Sequence, residues 1–493
     1  MTAVTETGYD QALTAIARRI DGANFIDGTW QQADTTERIT VFNPSTGGEL
    51  GRVPASTPAD VAGAVEAARR AQPGWAALTP GRRSKLLLDV AAAIEARLPE
   101  FSYVEAIDAG KPLQVVVDEE LPGVVDAMRF FAGAARTLPA PAGGDYLDGV
   151  TSIMRREPLG VIAGITPWNY PLLQAVAKVF PALATGNTFV LKPAETTPYS
   201  TALLAEAIAE QLPPGVFNVV FGTGAVAGDA LTRHPAVAAV SFTGSIETGR
   251  RVGAAAADGV KKSIMELGGN SPVLVFDDAD LESALDAIAA GGLYNTGQEC
   301  MAASRVIAHS SIVDAVVEGL KVRCEREKVG DILDPATTIG PMNSLAQRDR
   351  VLDKIAGRSP GARIVTGGGI VEGPGYLLAP TVVTDVRDDE ELVVEEIFGP
   401  VFTVQSFDSE DDALAKANGT RYGLAASVFT TDVGRAQRVQ NALNFGTVWV
   451  NNHLVFAADL PVSGFGASGV GTENAELGLL EFTRLKHVMV DTR

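Results

Sequence analysis

Cysteine is nearly absent: Cys300 and Cys324 are the two thiols in 493 residues. So few exclude a disulfide framework and fit a reducing compartment, so a cytoplasmic location is expected. Histidine is almost as scarce. His234, His309, His453 and His487 are scattered, with no metal-ligand spacing among them or with the cysteines, and no metal site is expected. Positive charge is also short, since 40 Lys and Arg against 60 Asp and Glu leave a formal net charge of −20. Such a chain repels nucleic acid and anionic membranes, which excludes both as partners. No apolar run reaches the roughly 18 residues that span a bilayer. The stretch from Met1 to Asp10 is polar and acidic, without the basic start and apolar run of a signal peptide.

What is present is an ordinary globular composition, 46% hydrophobic and 20% charged. At roughly 100–200 residues per domain, the length predicts two to four domains. Residues 24–30 and 39–44 read as short strands. Apolar residues at helical spacing mark 58–70, 81–98 and about 115–137 as helices. The breaker cluster 140–144 precedes a hairpin signal over 146–156. From Gly160 strands and helices alternate: strands at 161–165, 188–191, 216–221 and 238–242, helices at 172–184, 201–211, 225–233 and 247–257. That rhythm predicts a parallel sheet covered on both faces. A second α/β region follows, from the strand 273–276 to about Asn452.

Several local patterns carry chemistry. Gly222, Gly224 and Gly228 follow a strand, but their spacing departs from the dinucleotide fingerprint. Ser241 to Gly249 is the better candidate. Gly244 permits a tight turn and Ser245 stands at a helix start, where free N–H groups favour a phosphate; a plain helix cap is the alternative. Glu195, closing Lys192-Pro-Ala-Glu195, could accept from ribose hydroxyls or be a solvated loop charge. Cys300 follows the polar, turn-prone run Tyr294 to Gly297, a loop setting that could give a nucleophile access; a buried inert cysteine is the alternative. Cys324 sits in a charged stretch and reads as peripheral. Glu266 lies among apolar neighbours, where burial would raise its pKa and make it a usable base; a salt-bridged Glu is the alternative. Asn169, bracketed by Pro167 and Pro171, could donate to an oxyanion or be a turn residue.

Taken in order, the runs 166–171, 192–195, 242–249, 265–272, 297–300 and 395–401 resemble the aldehyde dehydrogenase superfamily, from about Asn24 to Val490. The resemblance implies an α/β fold: a Rossmann-like coenzyme domain (1–137 and 158–264, with part of 459–479), an α/β catalytic domain (265–458) and a small β oligomerisation arm (138–157 and 480–493). The arm implies a homodimer or homotetramer. Cys300 would attack an aldehyde, with Asn169 and the Cys300 N–H holding the oxyanion. Hydride would pass to NAD, and Glu266 would activate water to hydrolyse the thioester. Lys192 and Glu195 would bind the ribose, Gly244 and Ser245 the pyrophosphate, and Glu396 and Phe398 the nicotinamide ribose and ring. Ile165, Thr166, Trp168, Phe242, Gly249 and Leu267 would complete the coenzyme cleft.

The runs 118–122, 129–135, 146–149, 276–280 and 486–489 are similar to the aminobutyraldehyde and betaine-aldehyde dehydrogenases. They imply an ω-aminoaldehyde such as 4-aminobutanal as substrate, with betaine aldehyde or another aldehyde as the alternative. Asp108, with Glu105 near it, is expected to face the substrate tunnel, with Tyr170 and Phe456 as aromatic walls. A CoA-acylating enzyme would lack the base at Glu266, and a non-catalytic protein would lack the thiol or the base. The late segment departs from the family pattern: Ser463 replaces a Gly, Gly466 a Lys and Thr472 a basic residue. These departures bear on the substrate and on interface packing.

Overall fold

A computed structural model describes residues 6–139 and 142–493. Met1 to Thr5 and, within the breaker cluster, Ala140 and Pro141 lie outside the described residues. Among the described residues no helix is long and apolar enough to cross a membrane.

The strand Val161–Ile165 shows how the first sheet forms. All five of its residues are buried, as in a parallel strand covered on both faces. Ile162 packs with the helices Pro171–Ala184 and Tyr199–Ala209, while Val161, Ala163 and Ile165 pack with Pro58–Ala76 and Ile246–Asp258. Alternate side chains thus feed opposite cores, as the two-residue period of a strand requires. The sheet has eight strands. Its parallel centre runs Lys262–Leu267, Val237–Gly244, Val161–Ile165, Thr188–Lys192, Phe217–Val219. Gly469–Val470 closes one edge and Ala23–Ile26 with Thr29–Gln32 the other, all antiparallel. Chain order reverses beside Val161–Ile165, which opens a crevice at the carboxyl ends of this strand and Val237–Gly244. Lys262–Leu267 belongs wholly to this sheet, so the expected domain break at 264/265 falls inside a strand.

A second sheet of seven strands begins with Pro272–Val275. Parallel neighbours Arg305–His309, Val401–Phe407, Ala425–Phe429 and Thr447–Val450 extend it on both sides. A third sheet pairs Val150–Pro158 with Gly144–Leu147 and with the C-terminal strand Thr483–Asp491. Tyr146, Leu147, Leu485 and Met489 on it are exposed.

Arg305 opens the strand that follows the Cys300 segment, and it is almost wholly buried. Its Nη1 and Nη2 donate to the Lys416 and Ala417 carbonyls at 2.9 and 2.7 Å, at the end of the helix Glu410–Asn418. A cation there satisfies acceptors that the helix leaves open. Burial lowers the Arg305 pKa to about 10. Replacing it by Met should cost about 2–4 kcal/mol of stability, read from urea denaturation, because buried carbonyls lose their donors. An unshifted midpoint would remove Arg305 from this role.

Candidate active site

The helix Leu281–Leu293 ends in a sharp left-handed turn. Asn295 and Thr296 have φ of 49° and 59°, and a β-branched residue is strained there. The Thr296 hydroxyl donates to the Gly340 carbonyl at 3.1 Å. The Asn295 amide donates to the Asn169 carbonyl at 3.0 Å, and the Asn169 amide donates to the Gln298 carbonyl at 3.0 Å. These bonds hold the loop after Val161–Ile165 against the segment leading to Cys300. Among the described residues the second Nδ2 hydrogen of Asn169 has no such partner, and it is available to a ligand. On the other side the Cys300 carbonyl sits so close to Gly269 that a Cβ there would lie 2.0 Å from it, so only glycine allows the approach.

Cys300 is half-buried, and its thiol donates to Glu299 Oε1 at 3.2 Å. The Met301 N–H donates to the same oxygen at 3.1 Å. Burial and then the Glu299 carboxylate push the thiol well above its usual range, with Glu266 and Glu396 adding to the effect. Glu266 is buried, and its Oε1 has no hydrogen-bond partner among the described residues. Burial, then the neighbouring Glu473, hold its pKa well above the carboxylate range, while Lys178 acts against them. Lys178 donates to the Thr243 hydroxyl at 2.6 Å and pairs with Glu473. A desolvated carboxylate of this kind keeps enough proton affinity to act as a base near neutral pH.

The crevice at the strand ends gathers the expected coenzyme residues. Ser245 caps the helix Ile246–Asp258, its hydroxyl accepting from the Thr248 N–H, and leaves the first-turn N–H groups at an exposed position. Lys192 is buried and pairs with Glu195 at 3.1 Å. Glu195 also accepts from the Gly224 N–H at 2.7 Å, so the glycine loop with the wrong spacing serves as a backbone partner for Glu195. The buried Thr166 hydroxyl has no partner among the described residues. Trp168 and Phe398 meet edge to face at 5.3 Å, with Phe398 at φ 59°. Glu396 accepts from the Gly269 N–H at 3.0 Å, and burial pushes it up to about 7. Phe242, Gly249 and Leu267 pack together below: a Cβ at Gly249 would meet Leu267 at 2.4 Å. An anion-favouring helix start, an acid–lysine pair, an open hydroxyl and a ring wall fit a dinucleotide.

One expected substrate contact is corrected. Asp108 does not face a tunnel. It is fully buried, and its Oδ2 accepts from the Tyr199 and Ser200 N–H groups at 2.7 and 3.4 Å, capping the helix Tyr199–Ala209. Glu105 is buried as well, 3.4 Å from Lys111 Nζ, whose ammonium lies 4.2 Å from the Tyr170 ring centroid. Tyr170 is buried and stacks on Tyr294 at 6.5 Å, while Phe456 stands exposed in the loop after Thr447–Val450. Residues that sequence reasoning passed over are Glu299, Lys178 and Glu473. A single charged residue in the mostly apolar helix Pro171–Ala184 was the available signal for Lys178. The departures have a local account. The Ser463 and Thr472 hydroxyls bond to each other at 2.8 Å, beside the Val462–Glu473 bridge that carries Glu473. Gly466 has a left-handed φ of 58°, and a Cβ there would lie 2.7 Å from the Arg421 carbonyl.

The aldehyde dehydrogenase family model matches residues 30–488. Betaine aldehyde dehydrogenase 1 of Rhizobium meliloti is 44% identical over 475 residues, 95% of this chain and 97% of that protein. The betaine aldehyde dehydrogenase of Agrobacterium fabrum is 42% identical over 486 residues, 97% of this chain and 98% of that protein. The structure of a Staphylococcus aureus betaine aldehyde dehydrogenase in complex with NAD+ superposes with a TM-score of 0.95 at 35% identity, covering 98% of each chain. This chain therefore belongs to the aldehyde dehydrogenase family. It is an enzyme that oxidises the aldehyde group.

The raised thiol makes a direct prediction. The thiolate fraction grows with pH below the thiol's pKa, so alkylation of Cys300 by iodoacetamide should accelerate about tenfold per pH unit from about pH 7 to 9. Glu299→Gln should speed the reaction at about pH 8 by removing the neighbouring negative charge. A plateau in the wild-type rate below about pH 8 would contradict the assignment.

Proposed function

We propose that this NAD-dependent aldehyde dehydrogenase oxidises a cationic aldehyde, betaine aldehyde in the first place, to its carboxylic acid. The carrying observation is the Glu299 carboxylate, 3.2 Å from the Cys300 thiol. It is the acid that Asp108 was expected to supply. Tyr170 and Tyr294 lie within electrostatic reach of Glu299. A carboxylate with tyrosine rings suits a trimethylammonium group, which takes charge and ring contacts but donates no hydrogen bond. The similar betaine aldehyde dehydrogenases support the same substrate. The subfamily motifs put 4-aminobutanal first; the relatives reverse that order.

In this reading the substrate cation offsets the Glu299 charge, the Cys300 thiol gives its proton to solvent water, and the thiolate attacks the aldehyde carbon. The new oxyanion accepts from the free Asn169 amide hydrogen and from the Cys300 N–H. Bound NAD supplies the acceptor for the hydride that leaves this carbon. Cys300 then holds a thioester. Glu266 takes a proton from the attacking water, and the acid leaves as the thiol is restored. Lys192 and Glu195 hold the adenosine ribose, and Glu195 repels the phosphate that would make the coenzyme NADP. The homodimer or homotetramer contact is assigned to the third sheet, with its exposed Tyr146, Leu147, Leu485 and Met489. Two free thiols fit a cytoplasmic location.

The test of substrate compares betaine aldehyde, 4-aminobutanal and uncharged propanal by NADH production. Glu299→Gln should raise the betaine aldehyde KM about tenfold while the propanal KM stays within about twofold. Equal losses for the charged and uncharged aldehydes would sink the cation reading. Separately, Glu266→Gln should release a single burst of NADH and then stall at the thioester. A full steady-state rate in that variant would take Glu266 out of the hydrolytic step.

A further inference from the structure

His453 takes no part in the chemistry described above, yet its ring reaches the nucleophilic turn. It lies in the loop after Thr447–Val450, flanked by Asn451 at φ 55° and Leu454 at φ 60°. A leucine in the left-handed region is strained and is held there only by its surroundings. The ring is buried against Trp449 at 4.8 Å between centroids. On the opposite side lies Gly291, where a Cβ would come within 2.5 Å of His453 Cδ2. The helix therefore yields a side chain to seat this imidazole.

Both ring nitrogens are engaged. Nε2 lies 2.7 Å from the Met301 carbonyl oxygen, and Nδ1 lies 2.6 Å from the Ser427 hydroxyl. A carbonyl can only accept, so Nε2 carries the proton. Burial lowers the His453 pKa to about 4, so the ring is neutral at working pH. Nδ1 then accepts from the Ser427 hydroxyl, which selects this tautomer. Among the described residues nothing else donates to the Met301 carbonyl. A buried acceptor without a donor is costly.

We infer that His453, oriented by Ser427, is a positioning residue that fixes the turn carrying Cys300 through the Met301 carbonyl. Met301 directly follows the thiol, and its own N–H is tied to Glu299. Gly269 backs the Cys300 carbonyl but supplies no hydrogen bond. Among the described residues, the hydrogen bond that reaches the Met301 carbonyl is thus the His453 donor, from the loop after Thr447–Val450. Releasing it lets the Cys300 N–H and Sγ drift together away from Asn169.

The experiment uses the whole enzyme and reads the iodoacetamide alkylation rate of Cys300 by peptide mass spectrometry. It also reads kcat and the NAD KM with an aldehyde that the wild type turns over. H453F should lower kcat about 10–100-fold, as a misplacement near 1 Å does, and change the alkylation rate at least about threefold. The NAD KM should stay within about twofold. H453Q, whose amide reaches as far as Nε2, should recover most of the kcat loss; H453N, which reaches only as far as Nδ1, should not. S427A, a mild change in a buried strand, should lower kcat about threefold to tenfold by freeing the other tautomer. Wild-type kcat and alkylation in H453F, or equal kcat in H453Q and H453N, overturn the proposal. If H453F does not fold, S427A and the Gln–Asn pair decide: wild-type kcat in S427A overturns it. Because none of these readouts depends on which aldehyde is physiological, failure here is distinct from failure of the betaine aldehyde reading.

Discussion

The two large sheets are joined at the site by reciprocal amide bonds: Asn295 donates to the Asn169 carbonyl, and Asn169 donates to the carbonyl of Gln298. One partner stands on the loop after the first parallel strand and the other on the turn before Cys300. Asn295 is left-handed and Asn169 is buried, and each amide finds a backbone carbonyl across the clasp. The clasp sets the distance between an amide hydrogen and a sulfur, on which oxyanion stabilisation depends. The strain in Asn295 and Thr296 is offset by these bonds and by the Thr296 hydroxyl on Gly340.

Much of this was legible in the sequence because it is local. A strand such as Val161–Ile165, apolar throughout and followed by a helix, has few alternatives to a covered parallel sheet. Ser245 reads as a helix start because its hydroxyl and the N–H it caps are three residues apart. Cys300, Glu266 and Asn169 stood out in their short motifs. What was illegible depends on distant partners. The acidity of Asp108 said nothing of its role, which is set by backbone N–H groups 91 and 92 residues away. The Lys178–Glu473 pair spans 295 residues. The expected domain break at 264/265 lies inside a strand because composition does not change along Lys262–Leu267, whose partners on both sides decide its sheet.

The site also separates charge in a way that the net charge of −20 does not describe. Around the thiol stand Glu299, Glu266 and Glu396, all acting to keep sulfur protonated. Three cations of this region are paired with carboxylates: Lys178 with Glu473, Lys192 with Glu195, Lys111 with Glu120. A positive group on an incoming substrate would be the missing counter-charge. Its arrival would lower the cost of ionising the sulfur beside it.

The Cys300–Glu299 contact therefore has a consequence for the enzyme at rest. Peroxides attack the thiolate and leave the thiol largely untouched, so oxidation to sulfenic acid starts from the ionised form. If the substrate is the cationic aldehyde proposed above, a sulfur held protonated beside Glu299 would oxidise more slowly while the pocket is empty.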